Sequence, residues 1–347
     1  MTPRQPAESR CGANSVPVNG PGKDERVDRT GRPLVICEGE VFSLSALASL
    51  LRSGEFVVTA ELNPPKSAAA GIVRRRAEAL LGVVDAVNVT DSNRATVAMA
   101  AIPAATIVRT VGLEPIVQMT GRDRNRIALQ ADLLGAAAIG IENFLFMSGD
   151  DPKQGNHPDA VYVKDLDGVG LVKMAVGMRD QARFLSGDEI KQPPKMLIGA
   201  TASPFTKPME ADLTKTSDKI NAGVDFIQTQ PVFDLATFSR WLVEVRRGVS
   251  RDVPIVAGVL ILRSPDQAER LSKVPGLAIG TQVLDRMKKA ADAEAEGIAI
   301  AVEMVKALKA LPGVRGVHLY AIEWPEAVGR VVDVAGLLPR PDARVVA

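Results

Sequence analysis

Residues 224–230 read VDFIQTQ, a short run rich in β-branched and aromatic side chains, and residues 235–247 read LATFSRWLVEVRR, with the apolar spacing of an amphipathic helix. The preceding run of this kind is KMLIGAT at 195–201, and the following one is VPIVAGV at 253–259. Successive run centres lie about 29 residues apart, which is the usual length of one strand–helix unit. The segment therefore predicts repeated βα units with parallel strands.

The same unit continues in both directions along the chain. Further apolar runs lie at 56–62, 84–90, 114–120, 142–148 and 316–322. Helical patterns lie at 67–81, 124–136, 173–185, 211–222 and 282–309, and two longer spacings leave room for insertions at 149–172 and around 265–281. Eight strands that alternate with helices predict an α/β fold, a (β/α)₈ TIM barrel. The alternative is a doubly wound open sheet, which needs only five or six strands and normally carries a GxGxxG after its first strand, where this chain has none.

The first 33 residues differ from the rest of the chain. They are rich in proline, glycine and charged residues and show no periodic apolar pattern. This composition predicts a flexible N-terminal extension at 1–33, followed by a barrel domain at 34–347. The alternative is an arm that covers a neighbouring subunit. The segment also lacks the apolar stretch of a signal peptide.

The overall composition excludes several classes of protein. The chain has 347 residues, with 42 Lys+Arg against 41 Asp+Glu, and this balance argues against a nucleic-acid or membrane-surface binder. The two cysteines form no CxxC, which predicts a reducing, cytoplasmic location and no cysteine zinc site. The two histidines are far apart, so we expect no metal centre. No run is long enough and apolar enough for a membrane span.

In a barrel of this kind the chemistry lies at the carboxyl ends of the strands. Glu61 ends the first run, where partial desolvation would raise its pKa and suit it to general acid work, although a solvated loop glutamate is the alternative. Gln230 ends the sixth run and offers both a donor and an acceptor to the edge of a heterocycle, or else belongs to a helix-capping turn. Asp150 follows Gly149, which lets the backbone approach a ligand closely.

Other polar residues near the strand ends have two interpretations each. The arginines at 122, 124 and 126 suit a phosphate, or they form a solvated helix start with Asp123 as partner. Lys219 is a phosphate ligand or a surface lysine. His318 lies within the last run, where a hydrogen-bonded core histidine is favoured over a catalytic one.

Several motifs in this order resemble one family, the methylenetetrahydrofolate reductases, from about Phe56 to about Trp324. They are Glu-x-x-Pro-Pro-Lys at 61–66, Val-Thr at 89–90, Gln-Met-Thr-x-Arg-Asp-Arg-Asn at 118–125, Gly-Asp at 149–150, Asp-Lys-Ile-Asn-Ala-Gly at 218–223, Thr-Gln-Pro-Val-Phe-Asp at 229–234 and Gly-Val-His-Leu-Tyr at 316–320. The resemblance implies a (β/α)₈ flavoprotein that reduces 5,10-methylenetetrahydrofolate to 5-methyltetrahydrofolate with NADH or NADPH.

The resemblance also assigns expected roles to single residues. Glu61 matches the general acid that opens the five-membered folate ring, Asp150 matches an aspartate beside flavin and pterin, and Gln230 matches a glutamine that contacts folate and nicotinamide. Flavin-contacting positions are matched by Thr90, Gln118 and Lys219, together with Ser203, where many members have tyrosine.

The chain departs from the family pattern at four places. Gln118 and Lys207 stand where histidines are common, Ser203 replaces the tyrosine, and residues 262–265 read Leu-Arg-Ser-Pro where an aromatic often stacks on the nicotinamide. The family implies FAD as the cofactor, and these departures leave FMN and direct hydride transfer without flavin as alternatives. A homo-oligomer is expected. Two other functions stay open: a partner-dependent folate-binding subunit, and a folate-dependent methyltransferase barrel that uses a methyl acceptor and a corrinoid partner.

Overall fold

The described residues of this computed structural model are 34–37, 40–43 and 45–343. They fall into two compact units, one that contains the described residues up to Ser43 and one that contains residues 45–343. In the first unit, strands β1 (Leu34–Cys37) and β2 (Glu40–Ser43) form an antiparallel hairpin in which Leu34 pairs with Ser43. The predicted flexible extension, residues 1–33, lies outside the described residues.

Within residues 45–343, eight parallel strands close into a barrel in chain order, and the last strand pairs with the first. They are β3 (Val57–Leu62), β4 (Ala86–Val89), β5 (Pro115–Thr120), β6 (Asn143–Met147), β7 (Leu197–Ala202), β8 (Phe226–Pro231), β9 (Ile255–Leu260) and β10 (Val314–Tyr320). Each of the eight apolar runs of the sequence contributes one strand. The prediction of a (β/α)₈ barrel is confirmed, and the open sheet is excluded.

Helices connect the strands, and a continuous apolar core lies between them and the barrel. They are α1 (Ala46–Ser53), α2 (Ala70–Glu78), α3 (Ala101–Thr110), α4 (Arg126–Ala138), α5 (Gly168–Asp180), α6 (Met209–Ala222), α7 (Leu235–Arg247), α8 (Pro265–Ser272), α9 (Thr281–Lys289), α10 (Ala293–Lys309) and α11 (Glu326–Val334), with short 3₁₀ turns at Asn93–Ala95 and Pro152–Gln154. Among the helices of residues 45–343, none has both the length and the apolar character that a membrane crossing requires.

Two predicted helices differ from the observed ones because of capping residues. The helix predicted at 173–185 is α5 and begins at Gly168, since the Asp167 side chain accepts a hydrogen bond from Gly170 N at 2.7 Å. The single helix predicted at 282–309 is divided into α9 and α10. The backbone of Ala290 is extended there, and Asp292 caps a new helix through Ala295 N.

Helices α1, α3 and α11 were not predicted. Helix α3 reads AIPAATIVRT, in which the first five residues are all apolar and the three polar residues lie in the second half, so the amphipathic pattern that marks a surface helix is weak. It buries Ala101, Ala104, Ala105 and Val108 against neighbouring elements. Small apolar side chains therefore formed a helix through close packing, which the sequence pattern alone did not indicate.

Helix α1 covers the amino-terminal end of the barrel. Its first backbone amides, Ala46 N and Leu47 N, donate to the Glu114 carboxylate at 2.7 and 3.1 Å, a favourable charge at a helix N-terminus. Its leucines pack against the inward-facing side chains of the strands, in a cluster that contains Leu47, Leu50, Leu51, Val57, Ile116, Leu145 and Phe226. This end of the barrel is therefore filled with apolar groups, which leaves the carboxyl end for chemistry.

Candidate functional site

The residues predicted for the site lie around the carboxyl end of the barrel. Glu61, Gln118 and Gln230 lie near the ends of β3, β5 and β8, while Thr90, Asp150 and Ser203 follow β4, β6 and β7. Lys219 comes from α6 instead and reaches the same end, where its Nζ donates to Thr201 O at 2.6 Å. Because the ends of parallel strands share one edge, the fold gathers residues that are up to 169 positions apart in the chain.

Glu61 is a partly buried carboxylate at the end of β3, where it pairs in register with Asn88 of β4. Burial raises the pKa of its carboxyl group to about 7, and a hydrogen bond from Asn63 Nδ2 to Oε1, at 3.0 Å, opposes that rise. A carboxyl group with this pKa carries its proton in about half of the molecules at neutral pH. It is therefore suited to donating a proton at physiological pH.

Tyr320 on β10 lies beside this carboxylate, and His318 on the same strand packs against the Tyr320 ring. Burial, and secondarily the charge of Glu61, raises the pKa of Tyr320 well above its usual range, and its hydroxyl donates to Thr229 O at 3.3 Å. His318 is fully buried, and burial lowers its pKa to about 3. Its Nδ1 is 2.8 Å from Thr59 Oγ1, while its Nε2 has no hydrogen-bond partner among the described residues. His318 is thus a neutral core histidine, bonded at one nitrogen.

A β-bulge precedes the end of β8. Gln228 pairs with Val256 and Pro231 pairs with Gly258, so β8 holds two residues, Thr229 and Gln230, where its partner strand holds one. A Cβ at Gly258 would lie 2.6 Å from Thr229 O, so the bulge requires glycine on the neighbouring strand. The bulge leaves Gln230 partly exposed at the rim, whereas Gln228 is buried below it and accepts from Asn88 Nδ2 at 2.9 Å.

Asp150 is exposed in the loop after β6. Gly149 before it has φ of +85°, and a Cβ there would lie 3.0 Å from the Cβ atoms of Thr120 and Arg122, so glycine is required. Burial opposes the rise in the pKa of the Arg122 guanidinium, and the negative charge of Asp150 contributes to that rise after Asp123 and Asp91. The close approach at Gly149 therefore brings the Asp150 carboxylate near a cation.

The three arginines after β5 are paired with carboxylates. Arg122 is 2% exposed and contacts Asp123 at 2.6 Å. Arg124 pairs with Asp91 and, at 3.1 Å, with Asp132, and Arg126 pairs with Asp165 at 2.6 Å. The predicted partner Asp123 is confirmed, but the expected solvation of the helix start is wrong for Arg122, because the loop after β6 and the 91–92 backbone enclose it.

Thr90, Gln118 and Ser203 occupy different environments. Thr90 is buried and donates through Oγ1 to Asn63 Oδ1 at 3.0 Å, and Gln118 is 8% exposed on β5. The backbone N of Ser203 donates to Asp212 Oδ1 at 2.8 Å, and Asp212 also accepts from Trp241 Nε1 at 2.8 Å. Burial lowers the pKa of Lys219, which is half-buried rather than a free surface lysine.

Asn63 is a candidate site residue that the sequence analysis missed. It bonds to Glu61, Thr90 and Asn93, and it lines a small pocket together with Glu61, Arg76 and Glu323. Its signal was its position inside the Glu-Leu-Asn-Pro-Pro-Lys run, two residues after the candidate acid. In the described part of the chain, no cluster of three His, Cys, Asp or Glu side chains has the arrangement of a metal site.

Comparison with known proteins decides the family. The model of the family described as methylenetetrahydrofolate reductase matches residues 46–336, which includes the whole barrel. The chain belongs to the methylenetetrahydrofolate reductase family. The resemblance inferred from the motifs is thereby confirmed.

Individual relatives agree with this family. A 5,10-methylenetetrahydrofolate reductase of Pectobacterium carotovorum is 28% identical over 241 residues, which are 67% of this chain and 74% of the relative. A probable methylenetetrahydrofolate reductase (NADPH) of Caenorhabditis elegans is 24% identical over 243 residues, 67% of this chain. The match spans only 34% of the length of the nematode protein.

A solved structure shares the fold of this family member. It is an uncharacterized protein from Clostridium thermocellum that binds two copies of 5-methyl-5,6,7,8-tetrahydrofolic acid. The TM-score is 0.59, the sequence identity is 14%, and the alignment covers 85% of this chain and all of that one. At this identity the likeness demonstrates the common barrel alone.

Proposed function

We propose that this chain reduces 5,10-methylenetetrahydrofolate to 5-methyltetrahydrofolate with electrons from NADH or NADPH. The observation that carries the proposal is the Glu61 carboxyl at the mouth of a barrel of this family, with a pKa of about 7. The reaction opens a ring by protonating an amine nitrogen, which needs an acid that still holds a proton at neutral pH.

Glu61 acts as the general acid in this proposal. Its proton passes to the ring nitrogen that leaves C11, the carbon that bridges the two nitrogens of the five-membered ring, and the other nitrogen then holds an iminium cation. Partial burial keeps the acid protonated until a basic nitrogen is placed beside it. Hydride delivery to the bridging carbon completes the reduction to a methyl group.

Asp150 and Gln230 bind and orient the folate. The exposed Asp150 carboxylate is a fixed negative charge that favours the developing cation. Gln230 is partly exposed at the β8 bulge, and its amide offers both a donor and an acceptor to the pterin ring or to the nicotinamide. Gln230 thus orients the reactants through hydrogen bonds, and the charge of Asp150 stabilises the cationic intermediate.

The residues at the mouth fit a flavin, which we propose to be FAD. Gly168, at the start of α5, leaves a cradle that a side chain would fill, since a Cβ there would lie 3.3 Å from Lys219 Cε and 3.4 Å from Ser148 Oγ. The cation of Lys219, the amide of Gln118 and the hydroxyls of Thr90 and Ser203, with Asp150, form a donor and acceptor set suited to a flavin ring and its phosphate. A bound flavin supplies hydride transfer between nicotinamide and folate.

The purified full chain, examined anaerobically by visible absorption, tests the proposal. NADH or NADPH is added first and methylenetetrahydrofolate second. Flavin bands that bleach with the nicotinamide and return with folate support it, and the extracted flavin distinguishes FAD from FMN. Loss of nicotinamide absorbance only after folate addition, without flavin bands, indicates direct hydride transfer.

No change in any of these spectra contradicts the reductase proposal. That result favours the partner-dependent folate-binding subunit or the folate-dependent methyltransferase, which a folate-binding measurement and a methyl-transfer assay with a corrinoid acceptor distinguish. We further propose a cytoplasmic homo-oligomer. The absence of a CxxC or a disulfide pattern in the sequence supports the compartment, and gel filtration with light scattering tests the assembly.

A further inference from the structure

Asn63 makes a direct contact with the candidate acid. Its side-chain Nδ2 donates to Glu61 Oε1 at 3.0 Å, and no further hydrogen bond to the Glu61 side chain is seen among the described residues. Oε2 is thereby left as the oxygen that accepts no hydrogen bond from the part of the chain that the structure describes. The two oxygens of this carboxyl group are therefore not equivalent.

The orientation of the Asn63 amide is determined by its other contacts. Its Oδ1 accepts from Thr90 Oγ1 at 3.0 Å and from Asn93 Nδ2 at 3.3 Å, so the NH₂ end must face Glu61. The guanidinium of Arg76 donates to the backbone oxygen of Asn63. Pro64 and Pro65 follow directly and restrict the backbone of this turn.

We propose that Asn63 is the positioning residue of Glu61, and that it places the transferable proton on Oε2. The inference rests on the proposed function only in naming that proton as the one transferred to folate. Because an N–H donor faces Oε1, a proton on Oε1 would point at another hydrogen, whereas a proton on Oε2 leaves Oε1 free to accept. The acid thus presents its proton from one oxygen in one direction.

The same contact tunes the acid strength of Glu61. The Asn63 amide stabilises the ionised form and so lowers a pKa that burial has raised. The other charged or titratable groups around Glu61 are Tyr320 on β10, Arg76 on α2, and Glu323 after β10, with neutral His318 behind Tyr320. None of these groups donates a hydrogen bond to Glu61 within the described residues. Among the described residues, Asn63 is therefore the one group that both contacts the Glu61 carboxyl and fixes the direction of its proton.

The test compares the wild type with Asn63→Leu, which keeps the volume but removes the amide, and with Asn63→Ala. Asn221→Ala removes an exposed amide on α6 and serves as the matched control. Two readouts are taken on the full chain: titration of the Glu61 carboxyl by ¹³C NMR with labelled glutamate, assigned with Glu61→Gln, and the pH profile of methylenetetrahydrofolate reduction by NADH or NADPH.

Both Asn63 variants should raise the Glu61 titration midpoint by about one pH unit, because a hydrogen bond to the anion is lost. The alkaline limb of the rate profile should move up equally, kcat on the plateau should fall by about tenfold, and KM for folate should stay unchanged. An unchanged or lowered midpoint in either folded variant overturns the proposal. If the midpoint shifts as expected but the wild type reduces no folate, the positioning role stands and the proposed reductase activity falls.

Discussion

His318 meets the ring of Tyr320 edge-on, with 4.4 Å between the ring centroids and an interplanar angle of 86°. This packing buries the imidazole completely, and its Nε2 faces no hydrogen-bond partner within the described residues. A charged imidazole has no compensating group there, so the ring stays neutral. Tyr320 also lies close enough to Glu61 that the Glu61 charge contributes to the raised pKa of the tyrosine hydroxyl. Tyr320 therefore lies between the neutral histidine and the candidate acid.

The neutral His318 should reduce stability in acid. Its pKa is lowered from 6.5 to about 3, so below pH 6.5 the unfolded chain gains a proton that the folded protein does not accept. The contribution of His318 to the free energy of unfolding is fully present above pH 6.5. It is lost as the pH falls towards 3, by up to about 1.4 kcal/mol per pH unit. Urea unfolding of His318→Asn from pH 4 to 7 should give a flatter profile than the wild type, whatever its absolute stability. Parallel profiles would show that the histidine takes up its proton as readily in the folded protein as in the unfolded chain.

Glu61 should have the opposite effect on stability. Its folded pKa of about 7 lies above the ordinary 4.5, so between these values the unfolded chain loses its proton first. Stability attributable to this group therefore falls as the pH rises from 4.5 to 7, by about 3 kcal/mol at most. In the same unfolding series, Glu61→Gln should gain stability over the wild type as the pH increases through this window. A difference that is constant with pH would contradict the raised pKa.

The proposed acid role makes a separate kinetic prediction. Glu61→Gln should lower methylenetetrahydrofolate reduction by at least about 10²-fold, because the amide cannot donate a carboxyl proton. Oxidation of NADH or NADPH with an artificial electron acceptor should continue, since that half-reaction opens no folate ring. Glu78→Gln, on the exposed face of α2, is the matched control. Full folate turnover in Glu61→Gln would mean that another group is the acid.

Lys219 should matter for flavin retention. Lys219→Met keeps the apolar stem but loses the ammonium group beside Gly168, so we expect about tenfold weaker flavin binding. The ratio of flavin to protein absorbance after purification, and titration of the apoprotein with FAD, measure the effect. Lys215→Met, exposed on the same helix, should bind like the wild type. Equal retention in both variants would remove Lys219 from the flavin site.

A buried ion pair should dominate the stability of the barrel's amino-terminal end. Arg340 donates to Asp85 at 2.7 Å and to Phe56 O at 2.7 Å, and Asp85 also accepts from Val58 N. Their side chains are 8% and 1% exposed. Arg340→Met leaves a buried carboxylate without its cation and should cost about 3–5 kcal/mol in the free energy of unfolding.

The surface pair Arg247–Glu244 provides the comparison for that measurement. Its side chains are 71% and 45% exposed, so Arg247→Met should cost about 1 kcal/mol or less. Urea denaturation at one pH measures both variants. Equal losses would show that burial does not set the strength of the Arg340 pair.

The local sequence pattern was sufficient to predict the barrel. Each strand is a short apolar run because both of its faces are covered, one by the helices and one by the barrel interior, and such runs can be located without long-range information. Their 29-residue spacing predicted the parallel order. Helices were less predictable where small side chains or caps decided them, as in α3 and at Asp167.

The sequence by itself therefore determined the strand order and which polar residues end each strand, because both depend on residues close together in the chain. Only the tertiary structure decided the environment of those residues. Thr59 and His318, or Asn88 and Gln228, meet across 259 and 140 positions, and the Arg122 pairs depend on enclosure by several loops. The raised pKa of Glu61 has the same origin, since desolvation is the sum of contributions from every element packed around a group and no single segment encodes it.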